Sequence, residues 1–574
     1  MKKETKRIIA ASLAAVLCAG MLTACGGSSS GGSAAPAATT AAAAASGETV
    51  SASQAAAEAQ AKVDNKISTT AKYPEAPEAP EPGTSITSAK KNLIVATSSD
   101  AHTMNPHQVG SRQFLRIGNC IYEMLVYTHA DGSIDPWIAK DWDYTDDSIT
   151  FHLNEGINFQ DGTPCNAEAV VWNMAKWGES DAVTTATKYV DWANAKAVDE
   201  YTVTVPVDGY HYELLAYMGS VNYMLISPTA YEADPDGYAL KPVGTGPYKL
   251  TEYVLDDHVK LERWDGYWGG RDVYLDEILF RYIPESSQQL IELETGGVDV
   301  ICDVPFISWD TIEGNDELKL TVFPTCTIDF IWFNCIDENL FSNKLIRQAC
   351  AYAINLKEIW EAAYYGLSTP AFSYCPTTNY GYDPSYEFEN WPYEWDQSDE
   401  AKCRELLAEA GYPDGLTGIT LEIDTDANRT RVAEIVANQL TKCGIETHVE
   451  SYEYATSQSD QYGAKFQIAL NGAQTNGHAS KNMSERFLSA LAYPGSFSMS
   501  KWNEPKIDEL LSTIAGSQDD AERLECYKEI SDLYTEQVPA IAYWNRIQCV
   551  ASVKNLMNVQ SYFDPYNFTY AYFE

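Results

Sequence analysis

Apolar positions along the chain recur with two periods, and each predicts a different element. Alternation marks strands at Ser148-Ile-Thr-Phe-His-Leu153, Glu200-Tyr-Thr-Val-Thr-Val205 and Tyr248–Val254. Short apolar runs add strands opening at Asn92, at Leu421–Asp424, Ile445–Val449 and Lys465–Leu470, and a longer strand is predicted over Asp272–Tyr282. Helical spacing places Val170, Val171 and Met174 on one side of a helix capped by Asn166. A second helix runs from Ser286 to Gly296. A third follows Ser342 as its cap, with Leu345, Ala349 and Ala353 on one face. Ala401–Gly411 forms a fourth. The fifth, Arg431–Cys443, presents Val432, Ile435, Val436 and Leu440 and stops at Gly444. Strand, helix and strand from Leu421 to Val449 make a parallel crossover, so the class is α/β.

The first 88 residues follow neither period. Lys2, Lys3, Lys6 and Arg7 precede an apolar run, Ile8–Leu22, that is short for a membrane span. Leu22-Thr23-Ala24-Cys25 follows, with Gly26-Gly27. Small residues before a cleavage point predict a signal peptide over 1–24. The Cys at that point resembles the bacterial lipobox, which implies a lipid on Cys25 and contact with a membrane through it. Residues 25–88 are rich in Ala, Ser, Gly and then Pro, as in Tyr73–Pro82. They bury too little to offset ordering entropy and read as a disordered tether.

Composition narrows the function. The 574 residues hold 81 acidic against 39 basic groups, a formal charge of −42. Nucleic acid is excluded as a partner, because it requires a basic face. Cysteines of the body stand singly, from Cys120 to Cys549, with no Cys-x-x-Cys, so neither a zinc knuckle nor a thioredoxin-type site is supported. They are expected to be mostly buried free thiols.

Lys241-Pro-Val-Gly-Thr-Gly-Pro-Tyr248 is a tight turn feeding a strand. It lacks the Lys-Ser/Thr and the following helix of a phosphate loop. Tyr122-Glu-Met-Leu-Val-Tyr127, Phe159-Gln-Asp-Gly162, Thr295-Gly-Gly-Val-Asp299 and Ser342–Asn355 accompany it. Together these stretches resemble the family 5 extracellular solute-binding proteins, the peptide/nickel-type receptors of ABC importers, over roughly residues 92–560. The resemblance implies a two-lobed periplasmic-binding-protein type II fold, cluster C, with an extra domain inserted in the first lobe. The expected division gives 89–106, 225–322 and 546–574 to lobe I, 107–224 to the inserted domain and 323–545 to lobe II. It also implies closure about a hinge, no reaction, no cofactor, a monomer, and an ABC importer permease as partner. The Asp161-Gly162 turn and Arg347 are expected to be structural.

Candidate ligand contacts follow from the same resemblance. Asp100 and His102 lie after the first strand, where ligands of α/β folds sit. Trp332, Tyr454 and Trp502 border the cleft in relatives. The stretch Asn471–His478 supplies Gln474, Asn476 and His478. In peptide-binding relatives this loop carries an acid for the peptide's amino group, yet no acid occurs from Asn471 to Met483. Either Asp100 serves instead or the ligand has no free amine. A peptide-class solute is the first expectation. An oligosaccharide, metal chelate or other polar solute is the alternative, and a sensor, chaperone or surface enzyme on the same scaffold is a third reading. His102, His107 and His478 are the thin case for a chelate, and no metal site is assigned. Asp424-x-Asp426-x-Asn428 fails as a calcium loop, with Arg429 and Ile435 where Gly and Glu are needed. Gly27–Gly31, the one Gly-x-Ser-x-Gly match, lies in the tether and not at a strand-to-helix elbow.

Overall fold

The computed structural model describes residues 86–574 except 87, 109–111, 181–187, 271, 368, 387–390, 476, 497 and 562–565. The signal segment, Cys25 and almost all of the tether lie outside the described residues. So does Asn476.

The described chain opens with β1 (Asn92–Thr97) and a helix, Arg112–Ile121. A hairpin, β2 (Val126–Thr128) and β3 (Ile134–Pro136), follows. Next come β4 (Ala139–Tyr144), β5 (Ser148–Leu153), β6 (Lys196–Asp199) and β7 (Thr202–Pro206), an antiparallel sheet ordered β4-β5-β7-β6. Its buried face, Phe151, Val203 and Val205, packs with Val170, Met174 and Trp177 of the helix Ala167–Gly178. The Asn166 side chain caps that helix by accepting from Ala169 N at 3.1 Å.

Then come β8 (Tyr248–Val254), β9 (His258–Arg263), β10 (Glu277–Tyr282) and β11 (Val300–Cys302). The long β12 (Leu318–Phe333) precedes β13 (Leu416–Ile423), β14 (Ile445–Ser451), β15 (Ile468–Gln474) and the long β16 (Ala540–Val553). All nine join β1 in one sheet, ordered β14-β13-β15-β12-β16-β11-β1-β10-β9-β8. At one end, Leu93, Val95, Ile278 and Phe280 build one core. At the other, Phe330, Trp332, Ile346 and Val436 build a second. The molecule is therefore a two-lobed mixed α/β protein. Among the described residues, only β12 and β16 run through both halves. Their pairing holds from Leu318↔Val553 to Pro324↔Ile547, breaks, and resumes at Ile328↔Asn545.

Several boundaries moved for local reasons. The predicted strand Asp272–Tyr282 pairs only from Glu277, because its parallel partner begins at Asn92 opposite it. β15 starts later than Lys465 and continues through Gln474, since β12 keeps pairing to Thr327↔Gln474. The expected loop Asn471–His478 is thus half strand. Asn343, not Ser342, caps the helix Lys344–Ala353. Asp426 caps Ala427–Lys442, and Asp424 pairs with Arg429. The stretch that imitates a calcium loop is a helix start.

The Gly-Thr-Gly-Pro turn is a stitch between segments. A side chain on Gly244 would lie 2.2 Å from Ile121 O, and one on Gly246 would lie 2.7 Å from Ile121 C, so only glycine lets this backbone meet the helix end. Between them, Thr245 Oγ1 donates to Glu123 Oε2 at 2.8 Å. Glu123 also accepts from Trp268 Nε1, Tyr267 Oη and Trp137 Nε1 at 2.6, 2.9 and 3.1 Å. Gln160 completes the joint, donating to Gly246 O and Tyr248 O at 2.8 and 2.7 Å. Arg347 is structural as expected. It is buried and donates to Phe341 O, Ser342 O, Gln537 O and Val538 O.

Candidate functional site

Two surfaces meet across a seam. One is formed by the β2–β3 turn and Tyr212, just before the helix Leu214–Met218. The other belongs to the second core. Cys326 of β12 donates to Ala130 O at 3.6 Å. Tyr212 N donates to Ala515 O at 2.9 Å. The Tyr212 ring takes the Arg523 guanidinium at 3.9 Å from its centroid and packs against Tyr380 and His478 at 5.4 and 5.0 Å. Gly132 and Gly477, with φ of 81° and 89°, face each other backbone to backbone. His478 is 2% exposed there, with neither ring nitrogen hydrogen-bonded. Burial pushes its pKa down to about 4; the Gly132 backbone and then Asp131 oppose this, and Arg523 adds to it. The imidazole is neutral at physiological pH.

Two sets of paired charge lie at strand ends, with Arg116, Asp329 and Asp424 buried and their partners partly exposed. Arg116 is fully buried and pairs through Nη2 with Asp303 Oδ2 at 2.6 Å; Nε and Nη1 have no hydrogen-bond partner. Arg546 grips Asp329 through two bonds, of 2.9 and 2.6 Å. Arg429 lies between Asp424, its ion-pair partner, and Asp329, 4.0 Å away. Gly472 on β15 lets these groups pass, because a Cβ there would lie 2.8 Å from both Arg546 Nη2 and Asp329 Oδ1. Each carboxylate is matched by a guanidinium, so neither Asp329 nor Asp424 is open to an ammonium group.

The residues singled out from sequence do not gather at one place. Asp100 is buried and spends its oxygens on His102 N, Asp256 N and the Tyr253 hydroxyl, so it anchors its own loop and is no substitute for the missing acid. His102 is exposed and left-handed at φ 59°. Trp332 is wholly buried, packed at a tilt against Phe330 and Phe487, its indole N–H given to Asn471 O. Trp502 packs edge-on to Phe487 in the same core. Both tryptophans are core residues. Tyr454 is exposed at the start of its helix and accepts from Gln458. Gln474, exposed, ends β15 opposite Thr327. Of the described candidates, His478 alone reaches the seam. His107, once grouped with it, is packed between Met224 O and Trp177 Nε1 elsewhere, which removes the chelate triad. The seam's other members, Ala130, Gly132, Tyr212, Ala515 and Arg523, carry no motif.

The eleven cysteines of the body are buried. No helix among the described residues is long and apolar enough to cross a membrane.

Comparison with known proteins agrees with this architecture. The family model for bacterial extracellular solute-binding proteins, family 5 Middle, matches residues 133–494. The glutathione-binding protein GsiB of Escherichia coli (strain K12) is 27% identical over 462 residues, spanning 79% of this chain and 88% of that one. Among solved structures, DppA from Helicobacter pylori in complex with the peptide STSA superposes with a TM-score of 0.71 at 23% identity, covering 84% of this chain and 98% of that one. AgaA from A. tumefaciens R10 in complex with agropinic acid gives 0.70 at 20%, covering 84% and 99%. These relatives are binding receptors rather than enzymes. The chain belongs to the family 5 bacterial extracellular solute-binding proteins.

Proposed function

We propose that this protein captures a peptide-class solute between its lobes by hinge closure and delivers it to the permease of an ABC importer. The observation that carries the reading is the break in β12 and β16. Among the described residues two strands alone join the lobes, and their pairing is interrupted between Pro324 and Ile328, where a small change of backbone angles swings one lobe against the other. We place the hinge there, with lobe II beginning at about residue 323 and ending at about 545. Residues 107–224, with their own sheet and core, are read as the domain inserted in lobe I. The reading also holds the protein outside the cell, lipid-anchored through Cys25, as a monomer.

Peptide-class cargo is supported by what the relatives' names record, glutathione for GsiB and a peptide for DppA. The paired state of Asp329 and Asp424 favours a solute whose amine is blocked, internal or absent. That keeps a non-peptide solute as the second reading, as agropinic acid is for AgaA. Thermal-shift screening against short peptides, glutathione, oligosaccharides and a nickel–histidine chelate decides. A rise in melting temperature with peptides alone supports the first reading, and a rise with sugars or the chelate alone replaces it. Chemical turnover of any of them would remove the receptor reading.

A further inference from the structure

We propose that Arg116, with Tyr566 beside it, holds an uncharged oxygen of the solute, first of all the carbonyl of a peptide bond. The inference rests on the receptor reading and names one group of the solute that the cleft takes. Arg116 lies on the helix Arg112–Ile121, whose Phe114 and Ile117 pack in the core of Leu93 and Phe280. Its side chain is fully buried. A guanidinium out of water needs an acceptor for each nitrogen. Arg347 shows how this chain meets that need when the role is structural. It is buried too, and its Nε, Nη1 and Nη2 all give to backbone carbonyls. Arg116 gives only Nη2, to Asp303 Oδ2 at 2.6 Å, and the protein offers no acceptor to Nε or Nη1. The Tyr566 ring centroid lies 5.1 Å from the same guanidinium, and the buried Tyr566 hydroxyl likewise has no partner. Three donor atoms thus stand together in the fold without a protein acceptor.

Their place is where α/β folds receive ligands. Asp303 follows β11 directly, at the carboxyl end of the parallel pair β1 and β11. Tyr566 packs against Phe323 at 5.8 Å, next to Pro324, where the pairing of β12 and β16 breaks. Asp303 is 36% exposed, so solvent reaches the ion pair on its carboxylate side. Charge decides which oxygen fits. Asp303 already balances the guanidinium, and the pair is neutral. A solute carboxylate would set a second negative charge beside Asp303 in a buried setting, and repulsion would offset its hydrogen bonds. A carbonyl oxygen accepts from Arg116 and from Tyr566 without bringing charge. The site therefore favours amide carbonyls over acids.

Isothermal titration calorimetry on the mature protein tests this with paired probes. N-acetyl-trialanine is offered once as the carboxyl-terminal amide and once as the free acid, with glutathione and oligosaccharides beside them. The amide should bind the wild type more tightly than the acid. Arg116→Lys keeps a charge opposite Asp303 but loses the planar fork, and Tyr566→Phe removes only the hydroxyl. Each should weaken binding of the amide about tenfold. If Arg116→Lys does not fold, Tyr566→Phe alone decides. Unchanged affinity in the folded variants overturns the proposal even where melting falls, since that is the mark of packing alone. A free acid that binds more tightly than the amide, and is lost in the variants, overturns it as well. If only an oligosaccharide binds and the variants weaken it about tenfold, the uncharged oxygen stands and peptide gives way to sugar. Failure here is distinct from failure of the receptor reading. Binding that the variants leave intact removes only this proposal, and a wild type that binds none of the probes removes both.

Discussion

Gly132 and Gly477 meet backbone to backbone, so close that a Cβ on Gly477 would stand 2.6 Å from Gly132 N. A Cβ on Gly132 would strike His478 Nε2 at 2.5 Å. Both glycines have left-handed φ, which an L side chain adopts at a cost of about 1 kcal/mol before any clash. Gly132→Ala should therefore hold the seam ajar while leaving each core intact. Limited proteolysis should cut the β2–β3 turn faster in the variant, with far-ultraviolet dichroism unchanged. Equal cleavage rates would show that the contact does not govern closure.

Acid should open the seam before it unfolds the lobes. His478 is held neutral, its pKa lowered by burial from 6.5 to about 4. An opened or unfolded state takes up the proton at the ordinary value, so it binds more protons between pH 6.5 and 4. Closure is fully favoured above that window and weakens as pH falls through it, by about 3 kcal/mol at the lower end. His107, buried and likewise lowered to about 4, imposes the same sign on the fold of the other half. His478→Gln should abolish the expansion seen by scattering between pH 6.5 and 4 and leave the acid unfolding midpoint in place. An expansion that persists in this variant would assign acid opening to another group.

Glu123 binds three segments, accepting from Thr245, Tyr267, Trp268 and Trp137. In Glu123→Gln one oxygen becomes an NH2 that faces donors instead of accepting from them. The loss should be about 3 kcal/mol, the scale for breaking a buried charge-assisted set. Urea unfolding should show the midpoint fall with little change in slope. Thr245→Val, losing one bond of the four, should cost about 1 kcal/mol.

Elements with a strong period were legible in sequence. Tyr248–Val254 and Ser148–Leu153 are strands over the residues that alternate. Asn166 starts its helix through its side-chain oxygen and Gly444 ends one with a left-handed backbone, and composition reveals both. Trp332 and Trp502 pack in the second core, a placement their sequence does not reveal, because an aromatic at a strand or loop reads the same whether it lines a cleft or fills a core. Burial decides, and burial depends on Phe487, which is distant in sequence from Trp332. The local bonds of Asp100 were hidden for a related reason. Its partners Tyr253 and Asp256 lie more than 150 residues away. The seam was invisible because Gly132, Tyr212 and Arg523 have no local pattern; only the tertiary fold brings them together.

The paired charges at the strand ends give the sharpest test of what the cleft accepts. Asp329 holds Arg546 by two bonds and stands 4.0 Å from Arg429. Asp329→Asn removes the negative charge from between two guanidinium groups but keeps the shape. Leaving a buried cation uncompensated costs about 3–5 kcal/mol. The variant should melt well below the wild type. Added carboxylate ions, screened at constant ionic strength, should restore part of the loss in the variant and none in the wild type, because only the variant has an uncompensated guanidinium. Equal melting temperatures for variant and wild type would mean that Asp424 alone balances the site. Restoration in both would place the responsive cation elsewhere, with Arg116 and its two unpartnered nitrogens the next residue to substitute.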